Sequence, residues 1–182
     1  MKIYIVRHGT TVWNEKKITQ GYFKNRLSKK GKEELENIAL SIKEENIDVI
    51  FSSPLVRAVQ SANIINKYHE VKVIKYEKLI GIDQGVFAGR YWKSLSEKER
   101  ELHQKRDESC RMESYSNVYI RTQKFIEDVI DNCKYENIVI VTHNTNATAL
   151  EHLILKKEID FDDVSSLNKF DNGQLKVVEY LK

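Results

Sequence analysis

Short runs of β-branched and aromatic residues alternate with amphipathic stretches along the chain. Ile3 to Val6 is four apolar residues long, which predicts a buried strand. A polar loop containing Trp13 and Asn14 follows, and then Ser28 precedes a helical pattern with Leu35, Ile38, Ala39 and Ile42 on one face. Ser28 and Gly31 suit the start of that helix better than its interior. Asp48 to Phe51 predicts a second strand. Pro54, the single proline, sits at the N-terminus of the next helix, which presents Leu55, Val59, Ala62 and Ile65. Val71 to Ile74 predicts a third strand.

From Leu79 to about Met112 the pattern is least regular, with Gly81, Gly85 and Gly89 at every fourth position. This stretch reads as a loop followed by a very polar helix, about Ser94 to Asp107, lying over a site or in solvent. An amphipathic helix is predicted from about Ser114 to Asn132, with Tyr115, Val118, Thr122, Phe125 and Val129 inward. Ile138 to Val141 predicts a fourth strand, followed by a helix through Ala149, Leu153 and Ile154. Two last strands, about Ser166 to Phe170 and Leu175 to Tyr180, flank Asp171-Asn172-Gly173, a hairpin signal. Strands alternating with helices imply a three-layer α/β/α fold on a mostly parallel central sheet, with an antiparallel element at the end. Without linker, repeat or low-complexity tract, residues 1–182 read as one domain.

Composition changes this picture little. The chain has 182 residues, 41% hydrophobic and 31% charged, as expected of an ordinary globular protein. The net charge of +3 is small and lysines alternate with glutamates, which argues for a mixed-charge surface and against a nucleic-acid partner. Cys110 and Cys133 offer neither metal spacing nor a disulfide framework, which fits a reducing compartment. Neither is followed by an arginine six positions on, so no cysteine-phosphatase loop is evident. The apolar runs are strand-sized, so the expectation is a cytoplasmic protein with no membrane partner and no cofactor. No helix shows a surplus apolar stripe from which an oligomer could be read.

The candidate chemistry lies at strand ends. His8 and His143 each follow an apolar run, and ligands in open α/β sheets bind beyond the carboxyl ends of strands. Arg7 precedes the first histidine, and Arg57 falls in the first turn of the helix after the second strand. Two arginines, two histidines and helix N-terminal amides converging there make an anion site. Arginine suits it because its planar fork matches phosphate oxygens two at a time. His69, His103 and His152 read as surface or partly buried residues. Lys93, Arg100, Lys105 and Arg106 read as a solvated face from which one or two could guide an anion inward. No cysteine or carboxylate stands at ligand spacing from His143 and His152, so no metal is expected.

These residues resemble the histidine phosphatase superfamily, the phosphoglycerate-mutase-like fold that includes broad-specificity phosphatases, alpha-ribazole phosphatases and cofactor-dependent mutases. The resemblance covers nearly the whole chain. It rests on Arg7-His8-Gly9-Thr10 with Trp13-Asn14, on Gln20-Gly21, and on Leu27-Ser28 with Gly31. It continues through Ser52 to Ala62 and Glu113-Ser114 and closes on Val141-Thr142-His143. It implies attack by His8 on a small phosphorylated substrate, a phosphohistidine, and release of phosphate by water. Arg7, Arg57 and His143 would hold the phosphoryl oxygens, and Asn14 would add a hydrogen bond. Gln20, Gly21, Asn144 and Thr145 would line the entrance. The family usually has glycine at position 144. The mutases are longer than this chain, which favours a phosphatase.

One departure stands out. The resemblance implies a glutamate that protonates the leaving oxygen, and at that position this chain has Gly81. Loss of a positioned acid costs about 10²- to 10⁴-fold in rate. Asp83 is the first candidate replacement and Glu113 the second. Alternatively the leaving group needs no acid, as in a phosphohistidine or an acyl phosphate, or the chain is a catalytically weak phosphate-binding regulatory protein.

Overall fold

The computed structural model describes residues 1–159, 161 and 169–181. The strands are β1 (Lys2–Arg7), β2 (Val49–Ser52), β3 (Lys72–Lys75), β4 (Asn137–Thr142) and β5 (Leu175–Glu179). They form one sheet in the order β3-β2-β4-β1-β5. All pairs are parallel except β1 with β5, which closes one edge antiparallel. The helices are α1 (Val12–Glu15), α2 (Lys29–Ser41), α3 (Val56–Ile65), α4 (Glu97–Lys105), α5 (Tyr115–Phe125) and α6 (Asn144–Ile154).

Side chains alternate across a strand, so each apolar run feeds two cores. Ile3, Ile5, Phe51, Ile138 and Ile140 point to one face, against Phe125, Leu150 and Ile154 from α5 and α6. Tyr4, Val6, Ile50, Val139 and Val141 point to the other, against Leu35 and Ile38 of α2 and Ala58, Ala62 and Ile65 of α3. Three layers result. A third, smaller apolar cluster of Phe87, Leu95, Cys110 and Met112 holds the irregular 85–112 stretch together on its own.

Several boundaries move for local physical reasons. The loop after β1 contains the one-turn helix α1, because Thr11 and Asn14 form a capping box. The helix expected from Ser114 to Asn132 is α-helical only to Phe125 and continues as a π-helical turn over Ile126–Ile130. Of the strand expected at 166–170, residues 166–168 lie outside the described residues, and Lys169 and Phe170 belong to no strand. The Asp171-Asn172-Gly173 turn is present, with Gly173 at φ 63 and the Gln174 N–H donating to the Asp171 carbonyl at 3.1 Å. Among the described residues no helix is long and apolar enough to cross a membrane.

Two glycines let the end of β1 cross the start of α2. A Cβ on Gly31 would lie 2.0 Å from the Thr10 carbonyl oxygen, and one on Gly9 would lie 2.4 Å from the Gly31 carbonyl oxygen. The Ser28 hydroxyl caps α2 through the Gly31 N–H at 3.2 Å and also donates to the Thr10 carbonyl. This crossing anchors the segment that follows the first histidine.

Candidate active site

Register in the sheet brings the two histidines together. Arg7 pairs with Thr142 across β1 and β4, so His8 and His143 are the next residues on adjacent parallel strands. Their ring centroids are 5.0 Å apart at 63°. His8 is 3% exposed, and its Nδ1 lies 2.8 Å from the Gly9 carbonyl. A carbonyl only accepts, so Nδ1 carries the proton and Nε2 the lone pair. Arg57 Nε–H donates to that lone pair at 3.3 Å. The rest of the Arg57 fork is held by the Gly21 carbonyl at 2.9 Å and the Phe23 carbonyl at 3.2 Å. His143 Nε2 lies 2.8 Å from the hydroxyl of Ser53, which follows β2.

Burial pushes both histidines well below the usual imidazole range, and the positive charges of Arg57 and Arg7 push further in the same direction. Both rings are therefore neutral at pH 7. Burial also lowers Arg7 and Arg57 to about 10, which leaves both charged. Unfolding restores the ordinary imidazole value, so as pH falls below 6.5 the unfolded chain binds more protons than the folded one at these sites, with two as the limit. Their contribution to stability is full above that pH and lost as pH falls, with a limiting slope of about 2.7 kcal/mol per unit. Urea unfolding at successive pH values measures it, and His8→Ala should halve that slope.

A cavity of about 350 Å³ opens over these groups. It is lined by Arg7, His8, Arg57 and His143, and also by Asn14, Gln20, Gly21, Asn144 and Thr145. All of the expected site residues except Asp83 thus share one wall. Asp83 does not line the cavity, although Ile82 and Gln84 on either side of it do. Its carboxylate instead accepts from the Gly85 N–H at 2.9 Å. Glu113 is also off the wall, paired with Arg121 at 2.8 Å. Among the described residues no Asp or Glu lines the cavity. Gly81 does, and a Cβ there would lie 3.1 Å from Cγ of His143.

Asn144 has a definite task. Its side-chain oxygen accepts from the Phe170 N–H at 2.9 Å, while the carbonyl of Phe170 accepts from Arg7 Nη1 at 2.6 Å. The 170 segment is thus clasped between Asn144 and Arg7, and it also returns the Gly173 N–H and the Asn172 amide to the His8 carbonyl. Asn144→Gly should loosen Arg7 and lower kcat/KM about two- to tenfold, the value of one hydrogen bond. Steady-state kinetics on an aryl phosphate measures this.

Sequence reasoning missed part of the wall. His103, read as surface or partly buried, is partly buried and lines the cavity, with its ring edge-on to Phe87 and Trp92 and its Nε2 at 3.1 Å from Gln84 Oε1. Arg106, read as part of a solvated face, is only 8% exposed and lines the cavity too. Tyr119 and Lys169 complete that side. Ser96 and Glu99, a capping-box pair, mark where α4 starts; no local pattern marks its inner end.

Known proteins resemble this chain throughout. It is 31% identical over 156 residues to phosphoserine phosphatase 1 of Hydrogenobacter thermophilus, covering 82% of this chain and 74% of that protein. The fold superposes on Bacillus stearothermophilus YhfR with a TM-score of 0.87 at 20% identity, covering 98% of this chain and 90% of the other. It superposes on the alpha-ribazole phosphatase of Shigella flexneri at 0.85 and 19% identity, with the same coverage of 98% and 90%. The family model for the histidine phosphatase superfamily (branch 1) matches residues 3–182. A match that spans both histidine-bearing strands and everything between them makes this chain a member of the histidine phosphatase superfamily.

Proposed function

We propose that this phosphatase hydrolyses phosphomonoesters of small metabolites through a phosphohistidine on His8. The observation that carries the reading is the state of His8: neutral, with Nδ1–H fixed on the Gly9 carbonyl and Nε2 accepting from Arg57 Nε–H, the Arg7 charge also acting on the ring. Such an imidazole needs no deprotonation before it attacks. As substrate binds, Arg57 Nε–H leaves the Nε2 lone pair for a phosphoryl oxygen. Arg7 and His143 take the remaining oxygens, where charge spreads in the transition state. Nε2 forms a bond to phosphorus as the P–O ester bond breaks and the leaving oxygen takes a proton from solvent. Water then attacks phosphorus and gives a proton back to solvent, the N–P bond breaks with its electron pair returning to Nε2, and phosphate departs.

The wall without a carboxylate favours a second reading of the substrate: a leaving group that departs unprotonated, such as an acyl phosphate or a phosphohistidine. Asp83 could act as acid only if its side chain left the Gly85 N–H. Turnover of p-nitrophenyl phosphate and of a simple alkyl phosphate, compared across pH, separates the cases. Activity on the aryl ester alone means that no acid operates. Comparable activity on both means a working donor, and Asp83→Asn should then abolish only the alkyl reaction. No turnover of either, with phosphate still bound, would leave the regulatory phosphate-binding reading.

A further inference from the structure

The two nitrogens of His143 have different neighbours. Strand β4 lies between β2 and β1, so His143 has His8 on one side and Ser53, the residue after β2, on the other. Backbone register puts Ser53 there, its N–H donating to the Val141 carbonyl at 2.9 Å. The Ser53 hydroxyl is completely buried and lies 2.8 Å from His143 Nε2. Nδ1 of His143 has no protein partner among the described residues. It is not sealed off either: the ring lines the cavity, and this edge opens on it.

The direction of the Ser53–His143 hydrogen bond follows from counting donors. The Ser53 oxygen already accepts the Leu55 N–H at 3.3 Å, in a serine turn made where Pro54 has no N–H to offer. Its own hydrogen has one acceptor in reach among the described residues, His143 Nε2. A fully buried hydroxyl that donates to nothing is costly, so the O–H points at Nε2. Nε2 then holds the lone pair. A neutral imidazole has a single N–H, and here it is at Nδ1.

We infer that Ser53 is a positioning residue that fixes the tautomer of His143, so that Nδ1–H faces the cavity as a donor to a phosphoryl oxygen. In the opposite tautomer Nδ1 would turn a lone pair toward the anion, and attraction would become repulsion. The two neutral histidines thus carry opposite edges to the substrate: His8 presents a lone pair and His143 an N–H. The inference rests on the phosphatase reading for the identity of the ligand, but the tautomer is a property of the free protein.

It is read directly. In protein labelled with ¹⁵N-histidine, two-bond ¹H–¹⁵N correlation spectra above pH 7 distinguish a protonated from a lone-pair nitrogen in each of the five rings. The His143 signals are those missing from His143→Gln. Wild type should show His143 protonated at Nδ1 and bare at Nε2. Ser53→Ala should move the ring to the other tautomer or to a mixture. Ser53→Cys, of similar size but a weaker donor, does the same if the alanine variant does not fold. A bare Nδ1 in wild type would overturn the inference, as would a tautomer that neither variant changes.

Kinetics supplies the second readout. On p-nitrophenyl phosphate, Ser53→Ala should lower kcat/KM about tenfold, part of the 10²- to 10³-fold that a lost oxyanion donor costs. In a His143→Gln background the same change should cost almost nothing, because Ser53 acts through that ring. An equal loss in both backgrounds would make Ser53 a merely structural residue and end the inference. A protein that hydrolyses no ester yet shows Nδ1–H on His143 would sink the phosphatase reading and leave the tautomer standing.

Discussion

Replacing His8 with alanine is expected to lower kcat on p-nitrophenyl phosphate by at least about 10⁴-fold, the scale on which a nucleophile is lost. Among the described residues no other group is equipped to take its place. His143 is neutral as well, but its Nε2 is tied to the Ser53 hydroxyl at 2.8 Å. Neither cysteine lines the cavity. With the wild type, a rapid acid-free quench during turnover should trap a phosphoryl group that is stable in base and labile in acid; with His8→Ala it should trap none. Retention of a tenth of the activity by His8→Ala would move the nucleophile elsewhere and end the phosphohistidine scheme.

The second large effect has opposite signs on two substrates. Gly81→Glu installs a carboxylic acid where the family resemblance implies one, and a working acid is worth about 10²- to 10⁴-fold for a poor leaving group. The new Cβ, however, meets the His143 ring at 3.1 to 3.3 Å, so the imidazole must give by a few tenths of an ångström. Misplacement of one oxyanion-binding group on this small scale costs about tenfold. For an alkyl phosphate the acid outweighs the displacement and turnover should rise. For p-nitrophenyl phosphate, whose leaving group needs no proton, only the displacement remains and turnover should fall. Gly81→Ala, which displaces without protonating, should lower both. Parallel kcat/KM measurements on the two esters decide it; a rise on the alkyl ester with the aryl ester unchanged would mean that His143 yields at no cost.

The four central side chains were legible because each is tied to an element boundary. His8 and His143 end strands whose apolar runs are unmistakable, and Arg57 starts a helix announced by Pro54. Parallel pairing then supplied the proximity. Asp83 shows where such reasoning stops: it falls between two cavity-lining neighbours, and a one-residue turn to the Gly85 N–H removes it from the wall. Arg106 shows the reverse. Its burial comes from carbonyls at positions 83 and 113, and nothing periodic in a polar helix forecasts acceptors supplied by two separate loops. Asn144, odd beside a family that usually has glycine there, makes sense once the Phe170 N–H is found above it.

That clasp has a consequence for the order in which the protein is made. Translation delivers His8 long before Phe170, Gly173 and the strand that pairs antiparallel with β1. A nascent chain that has not yet reached them holds His8 without the contacts that aim Arg7. The pocket is therefore complete only once residues 170–173 have been made, and a ribosome-stalled product ending before residue 170 should be an inert precursor.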